Sequence, residues 1–258
     1  MKNLIVIADW VKDDLYKSEF LTALYGHIPS SSNLNISFIS STKSDIHHAF
    51  LLNQIAYTTD RLGAAHETVI LMGSDLRSSF ANSPSPFVVL KLQSGIFVLG
   101  QNTGKVFSMI RDELEEAFVY SPIDLDKSYI ARDVFPRICS VFMDARQQEL
   151  DLDELHMNQI PPMFDKYIGH ITNDALFLTT LTHQDLKGKY SFGDKIHLII
   201  GSENILVKYV ENIENEDLST SLVYSGSSGD INDPYLELKL IDQSSHKINP
   251  GDKVTLAI

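Results

Sequence analysis

The apolar positions of this chain fall into two textures. Up to about residue 145, short apolar runs alternate with segments of helical spacing. LIVIA (4–8), NISFIS (35–40), ETVILMG (67–73), FVVLKL (87–92) and GIFVLG (95–100) have the length of strands. Between the first three, 14–28 places Leu15, Phe20, Leu21, Leu24 and Tyr25 at helical spacing. The stretch 45–63 does the same with Ile46, Ala49, Phe50, Leu52, Ile55 and Ala56, and ends at Gly63, a suitable residue just past a helix. Strands alternating with helices predict βαβ units and a mainly parallel sheet flanked by helices. LQSG between FVVLKL and GIFVLG predicts a hairpin. Further helices are expected from about Lys105 to Phe118 and from about Asp133 to Met143.

The second texture begins after RQQELDLDELHMNQIPPM, an acidic, polar stretch closed by Pro161 and Pro162. It reads as a linker over 146–163. Beyond it, KYIGHITN, ALFLTTL, KIHLIIG, LVKYVE, TSLVYSG, YLELKLI and KVTLAI are short strands divided by Gly, Asp and Asn turns. No helical segment intervenes, which predicts a small β-barrel or sandwich. The expected architecture is an α/β domain over 1–145, the acidic linker, and an all-β barrel-like domain over 164–258.

Composition narrows the function. A formal charge of −13, with no block of Lys and Arg, argues against nucleic acid as a partner. No apolar run approaches the length of a membrane span. The opening MKNLIVIADW stops at an aspartate without a small-residue cleavage site, so it reads as a first strand, and a cytoplasmic protein is expected. The single cysteine, Cys139, lies in an apolar helical context and excludes an internal disulfide. Nine histidines are scattered without metal-ligand spacing, and adjacent His47 and His48 would point to different sides of a helix, so no metal is expected. Neither GxGxxG nor GxxxxGK[ST] occurs.

In an open parallel sheet, ligands bind beyond the carboxyl ends of the strands. Asp9, Trp10 and Asp14 follow the first strand. Asp75 follows another, Asn102 a third, and Arg132–Asp133 begins the helix after SYIA. Each position also has a plain structural reading as a polar loop residue, and Asp133 as a helix N-cap. Convergence of several strand ends on one crevice is what favours a binding site.

These residues, in order, resemble the S-adenosylmethionine (SAM) hydrolases that form adenosine, relatives of the fluorinase and chlorinase enzymes. Asp9 and Asp14 match the spacing of that family's opening (S/T)DxGxxD motif. DIHHAFLL from Asp45 matches its Asp-initiated helix, and Asp75 falls on the aspartate of VVDPGVG. GQNTG keeps the asparagine of PDNG as Asn102, and SYIARDVFP keeps Ser128, Arg132, Asp133 and Phe135 of (T/S)FHGRDxFAP. The resemblance spans essentially the whole chain. It implies a homotrimer that binds SAM between domains of neighbouring subunits, with a nucleophile attacking the ribose C5′ as methionine leaves. Asp9 would take the ribose hydroxyls and Asp14 would lie near the methionine end. Ser128, Tyr129 and Trp10 would line the pocket, and SAM would be substrate or ligand, with no cofactor.

The chain departs from the family where chemistry is concentrated. Of the family's Asp, Arg and His set, Asp75 remains. The arginine position counts to Asn82, with Arg77 nearby as a substitute, and the histidine position is Ile130. Thr172 and Leu176 stand where the C-terminal motif has an aspartate and an asparagine, and IDQSSH replaces the closing element. The expected function is a divergent SAM-hydrolase-like protein that binds SAM or adenosine and hydrolyses SAM slowly. The alternatives are a noncatalytic nucleoside-binding or assembly protein of the same fold, and a different adenosyl or halide chemistry.

Overall fold

The computed structural model describes residues 2–28, 33–73, 85–121, 129–214, 216–217, 219–242 and 245–257. The chain forms two compact units, Met1–Pro162 and Met163–Ile258.

The first unit is built on β1 (Lys2–Ala8), β2 (Leu34–Ser40), β3 (Thr68–Gly73), β4 (Phe87–Leu92), β5 (Phe97–Gln101), β6 (Leu114–Tyr120) and β7 (Leu152–Glu154). They make one sheet in the order β2-β1-β3-β5-β4-β6-β7. The first four neighbours are parallel; β4, β6 and β7 add an antiparallel half. Alternate residues of each central strand feed opposite faces. Leu4, Val6, Leu71 and Val89 pack with Phe20 and Leu24 of α1 (Asp14–His27) and with Phe135, Ile138 and Phe142 of α3 (Phe135–Met143). Ile7, Ile70, Val88 and Val98 pack on the other side with Leu52 and Ala56 of α2 (Asp45–Leu62). β3 is buried along its whole length, and burial on both faces is why Val69–Met72 is a continuous apolar run. Cys139 lies inside the first of these cores, where burial pushes its thiol far above the usual range.

Two expectations are corrected. The helix expected over Lys105–Phe118 does not form. Val106, Phe107 and Ile110 are buried in a turn, a 3-10 turn follows at Arg111–Glu113, and Leu114–Tyr120 is strand β6. The Glu- and Leu-rich run has helical propensity, but pairing with β4 from Phe87↔Tyr120 to Leu92↔Leu114 overrides it. The acidic stretch 146–163 is not a free linker. Leu152–Glu154 adds β7 to the sheet beside β6, and Leu155 and Ile160 are buried in the α2-side core. Its acids occupy the exposed positions of that strand.

The second unit contains β8 (Lys166–Ile171), β9 (Phe177–Thr182), β10 (Lys195–Ile200), β11 (Glu203–Tyr209), β12 (Leu222–Asp230), β13 (Asp233–Lys239) and β14 (Lys253–Leu256). These are the seven strands read from the sequence, closed into a barrel in the order β10-β11-β12-β13-β9-β8-β14. Strict alternation in β10 places Ile196, Leu198 and Ile200 inside. One short helix, α4 (His183–Leu186), interrupts the strands and opens with a capping box between Thr182 and Asp185. Every strand pair is antiparallel except β11 with β12. Across that pair the chain crosses over through 210–221, where Val210 and Ile213 pack on Leu222, Tyr224 and Leu176. No helix among the described residues is long and apolar enough to cross a membrane.

Candidate functional site

The acids after β1 have three different fates. Asp13 caps α1, its Oδ1 accepting from the backbone N–H groups of Leu15 (2.9 Å) and Tyr16 (3.3 Å). Asp14 opens that helix with its side chain 92% exposed and paired to Lys17 at 2.6 Å. The hydrogen bond from Lys17, and then its charge, hold the Asp14 carboxyl below the usual range. Asp9 is half-buried, and its Oδ1 is shut from solvent with no hydrogen-bond partner. A buried carboxylate oxygen without a donor is costly, so this atom asks for one. Trp10 is not a surface wall. It is buried 5.6 Å from Phe20, with its indole nitrogen against Gly73, where a Cβ would stand 2.9 Å away.

The corner between β2 and α2 closes over the same strand end. Ser41 donates its backbone N–H to Ala8 O at 3.0 Å, the residue before Asp9. Ser44 caps α2 by accepting from His47 N. His48 places Nε2 2.7 Å from Ser41 Oγ, and His47 Nδ1 accepts from Thr42 N at 3.1 Å. Burial pushes the His48 pKa down, and the negative charges of Asp9 and Asp45 act against that shift. Thus Asp9, Asp45 and His48 share one electrostatic field. The turn after β5 joins them, because Thr103 Oγ1 donates to Asp45 Oδ1 at 3.3 Å.

Gly104 has no Cβ because Asp45 fills that space: an added Cβ would meet Asp45 Oδ2, and φ is +44°. Gly104→Ala is therefore expected to cost about 1–2 kcal/mol through left-handed strain alone, with further loss from displacing Asp45. Urea denaturation against wild type measures it, and an unchanged midpoint would show that the turn relaxes freely.

The other residues singled out from the sequence are dispersed. Asn102 follows β5 and donates from Nδ2 to Gln159 O at 3.1 Å, so it fastens the 157–160 turn. Tyr129 is 47% exposed, with the Arg132 guanidinium 4.9 Å from its ring centre. Asp133 does not cap α3. It accepts from Arg132 Nε (2.8 Å) and Nη2 (2.9 Å) and from Tyr129 N (2.8 Å), bracing a π-helical turn over Ile130–Val134. Ile130 is fully buried in the α1/α3-side core. Asp75, Arg77, Asn82 and Ser128 lie outside the described residues.

In the barrel, Thr172 and Leu176 close a tight turn, with Leu176 N donating to Thr172 Oγ1 at 3.0 Å. Glu237 is buried and accepts from Ser227 N at 2.9 Å, while burial and then the Glu237 charge push the Tyr224 pKa up to about 12. A groove of about 340 Å³ over β6 and β7 is lined by Glu115, Glu116, Phe118, Glu154, His156 and Met157. It holds none of the residues drawn from the sequence. Lys91 already neutralises part of its rim, at 2.9 Å from Glu115 and 3.1 Å from Glu116.

Sequence reasoning missed Ser41, Thr42, Asp45, His48 and Thr103 as members of the corner. The available signal was the spacing of ST at 41–42 before a capped helix carrying HH at 47–48. No protein-family model matches the chain, and no curated protein matches it. Among solved structures, the chain is similar to an uncharacterized conserved protein from Thermotoga maritima, at TM-score 0.71 and 13% identity over 98% of this chain and 100% of that one. It is also similar to a conserved hypothetical protein from Thermus thermophilus, at TM-score 0.63 and 15% identity over 100% of both chains. At these identities the likeness is one of fold.

Proposed function

We propose that this chain is a divergent SAM-hydrolase-like protein that binds SAM or adenosine at the carboxyl edge of its parallel strands. The observation that carries the reading is the Asp9 carboxylate, with Oδ1 buried and unpartnered at the end of β1. A vicinal diol supplies two O–H donors to a carboxylate, and a ribose offers one. The clustering of the β1, β2 and β5 ends around Asp9, Ser41 and Asp45 supports the same edge as the ligand side.

Turnover in this reading is slow. The sulfonium of SAM is already a good leaving group, so catalysis needs a positioned nucleophile more than acid–base power. At the family's histidine position Ile130 offers no hydrogen bond, and it faces a packed core. That observation also favours the second reading, a noncatalytic nucleoside-binding protein. Calorimetric titration of the full chain with SAM and with adenosine tests binding, and chromatography for adenosine plus methionine tests turnover. Measurable binding with product above the buffer rate supports the slow hydrolase, and binding without product selects the second reading. No heat with either ligand removes the proposal. A homotrimer belongs to the same proposal, and light scattering should return three times the 29.0 kDa chain mass.

A further inference from the structure

We propose that the β2–α2 corner is a pH-sensitive latch, fastened by His47 and His48 while both imidazoles are neutral and released when they take up protons.

The geometry at His47 fixes its protonation state. A backbone N–H can only donate, so the 3.1 Å contact from Thr42 N requires a lone pair on His47 Nδ1. Thr42 Oγ1, 3.0 Å from the same nitrogen, can share that lone pair, while it accepts from Ser44 N at 3.4 Å. An imidazolium carries hydrogens on both nitrogens and has no lone pair. Protonating His47 therefore replaces a hydrogen bond with two N–H groups facing each other.

The neighbouring ring adds a burial term. His48 is 1% exposed, with Nε2 against Ser41 Oγ and Nδ1 without a partner of hydrogen-bond geometry. Asp9 faces it from the end of β1 and Asp45 from α2 itself, while Lys43 in the turn is exposed. The turn after β5 brings Thr103 and Gly104 against Asp45, with the half-buried cation Lys105 next in the chain. Burial outweighs the two carboxylates and the pull of the Ser44 backbone, and the His48 pKa lies below its ordinary 6.5. The unfolded chain thus binds the proton first. Stability from a neutral His48 is complete above about pH 6.5 and falls as pH drops toward the folded pKa.

Two consecutive residues of the turn, Ser41 and Thr42, are held by two consecutive residues of the helix. Releasing them frees the segment whose Ser41 N–H binds Ala8 O, next to Asp9. Acid would loosen this corner while the strand ladders keep their hydrogen bonds.

The test is amide hydrogen exchange by NMR on the full chain from pH 8 to pH 5, expressed as protection factors, with the histidine rings followed in the same samples. Protection at Ser41 and Thr42 should fall at least tenfold, with the midpoint of the His47 and His48 ring titrations. Amides of β1 and of the barrel should keep theirs. In H47N/H48Q, the asparagine oxygen lies near the place of Nδ1 and the glutamine amide near Nε2, and neither titrates, so protection should be flat. Flat protection in wild type overturns the latch. So does an unchanged pH response in the folded double variant, or simultaneous loss across the whole unit. If circular dichroism shows that H47N/H48Q does not fold, the wild-type midpoints decide. Coincidence with the ring titrations supports the latch, and a separate midpoint overturns it.

Discussion

Ile130→His should destabilise the protein by about 2.5–6 kcal/mol and leave SAM hydrolysis no faster. The substitution introduces the residue type that the resemblance to the SAM hydrolases would place there, so a reading from that resemblance alone would favour it. In this fold, however, Ile130 is fully buried with Ala131, Val134 and Phe135 in the α1/α3-side core. Removing a buried isoleucine forfeits roughly 1.5–3 kcal/mol of burial, and an imidazole without a partner there costs about 1–3 kcal/mol more. Urea denaturation at pH 8 measures the sum, with Ile130→Val as a control expected to lose only about 0.5–1.5 kcal/mol. A histidine variant with a wild-type midpoint would mean that the ring reaches water or a polar partner. Faster release of adenosine by that variant would put position 130 back at the reacting centre.

Asp9→Asn should weaken SAM and adenosine binding by roughly 10- to 150-fold, which corresponds to about 1.5–3 kcal/mol for a charge-assisted hydrogen bond. Thermal stability should change little, because Oδ1 has no protein donor to lose. The pairing of these two outcomes matters. A residue that merely supports the loop would lose stability and affinity together, whereas a ligand acceptor loses affinity alone. Equal dissociation constants for variant and wild type, by calorimetry, would reduce Asp9 to a loop residue. The variant also removes one of the two charges that favour protonation of His48, so its ring should titrate at a lower pH.

Where the sequence was legible, one rule governed each segment. In 45–62 helical spacing and Gly63 agree, and α2 runs over Asp45–Leu62, with Ser44 capping its start. The barrel strands were legible because alternation and turn residues repeat without competition. β6 was not, because LEEAF is locally helical and only its ladder with β4 makes it a strand. β7 was hidden for a related reason. An edge strand of three residues can be acidic on exposed positions, so composition alone could not separate it from a linker.

The candidate site was legible to the extent that the strand-end rule picks out Asp9. The burial of Trp10 was not legible, because it depends on Gly73, a strand away, whose missing Cβ admits the indole. The histidine pair was harder still. Side chains on adjacent helical positions diverge, but both rings sit in the first turn of α2 and reach the preceding corner instead of the helix faces. That outcome depends on how the chain enters the helix, which periodicity does not encode.

The barrel carries a constraint of arithmetic. Going round a closed ring of strands, each antiparallel step reverses direction and each parallel step preserves it, so an odd ring cannot close on antiparallel steps alone. With seven strands, one step must preserve direction, and that step is β11 to β12. Its ladder is confined to Lys208↔Leu222 and Tyr209↔Val223, and a hairpin cannot make the connection. The crossover through 210–221 is thus the topological debt of an odd strand number, settled at a single seam. A grafted hairpin adds two strands and leaves the parity intact, so the ring can accept one elsewhere without a second seam. A single added strand would require the β11–β12 step to reverse, or a new direction-preserving step to appear.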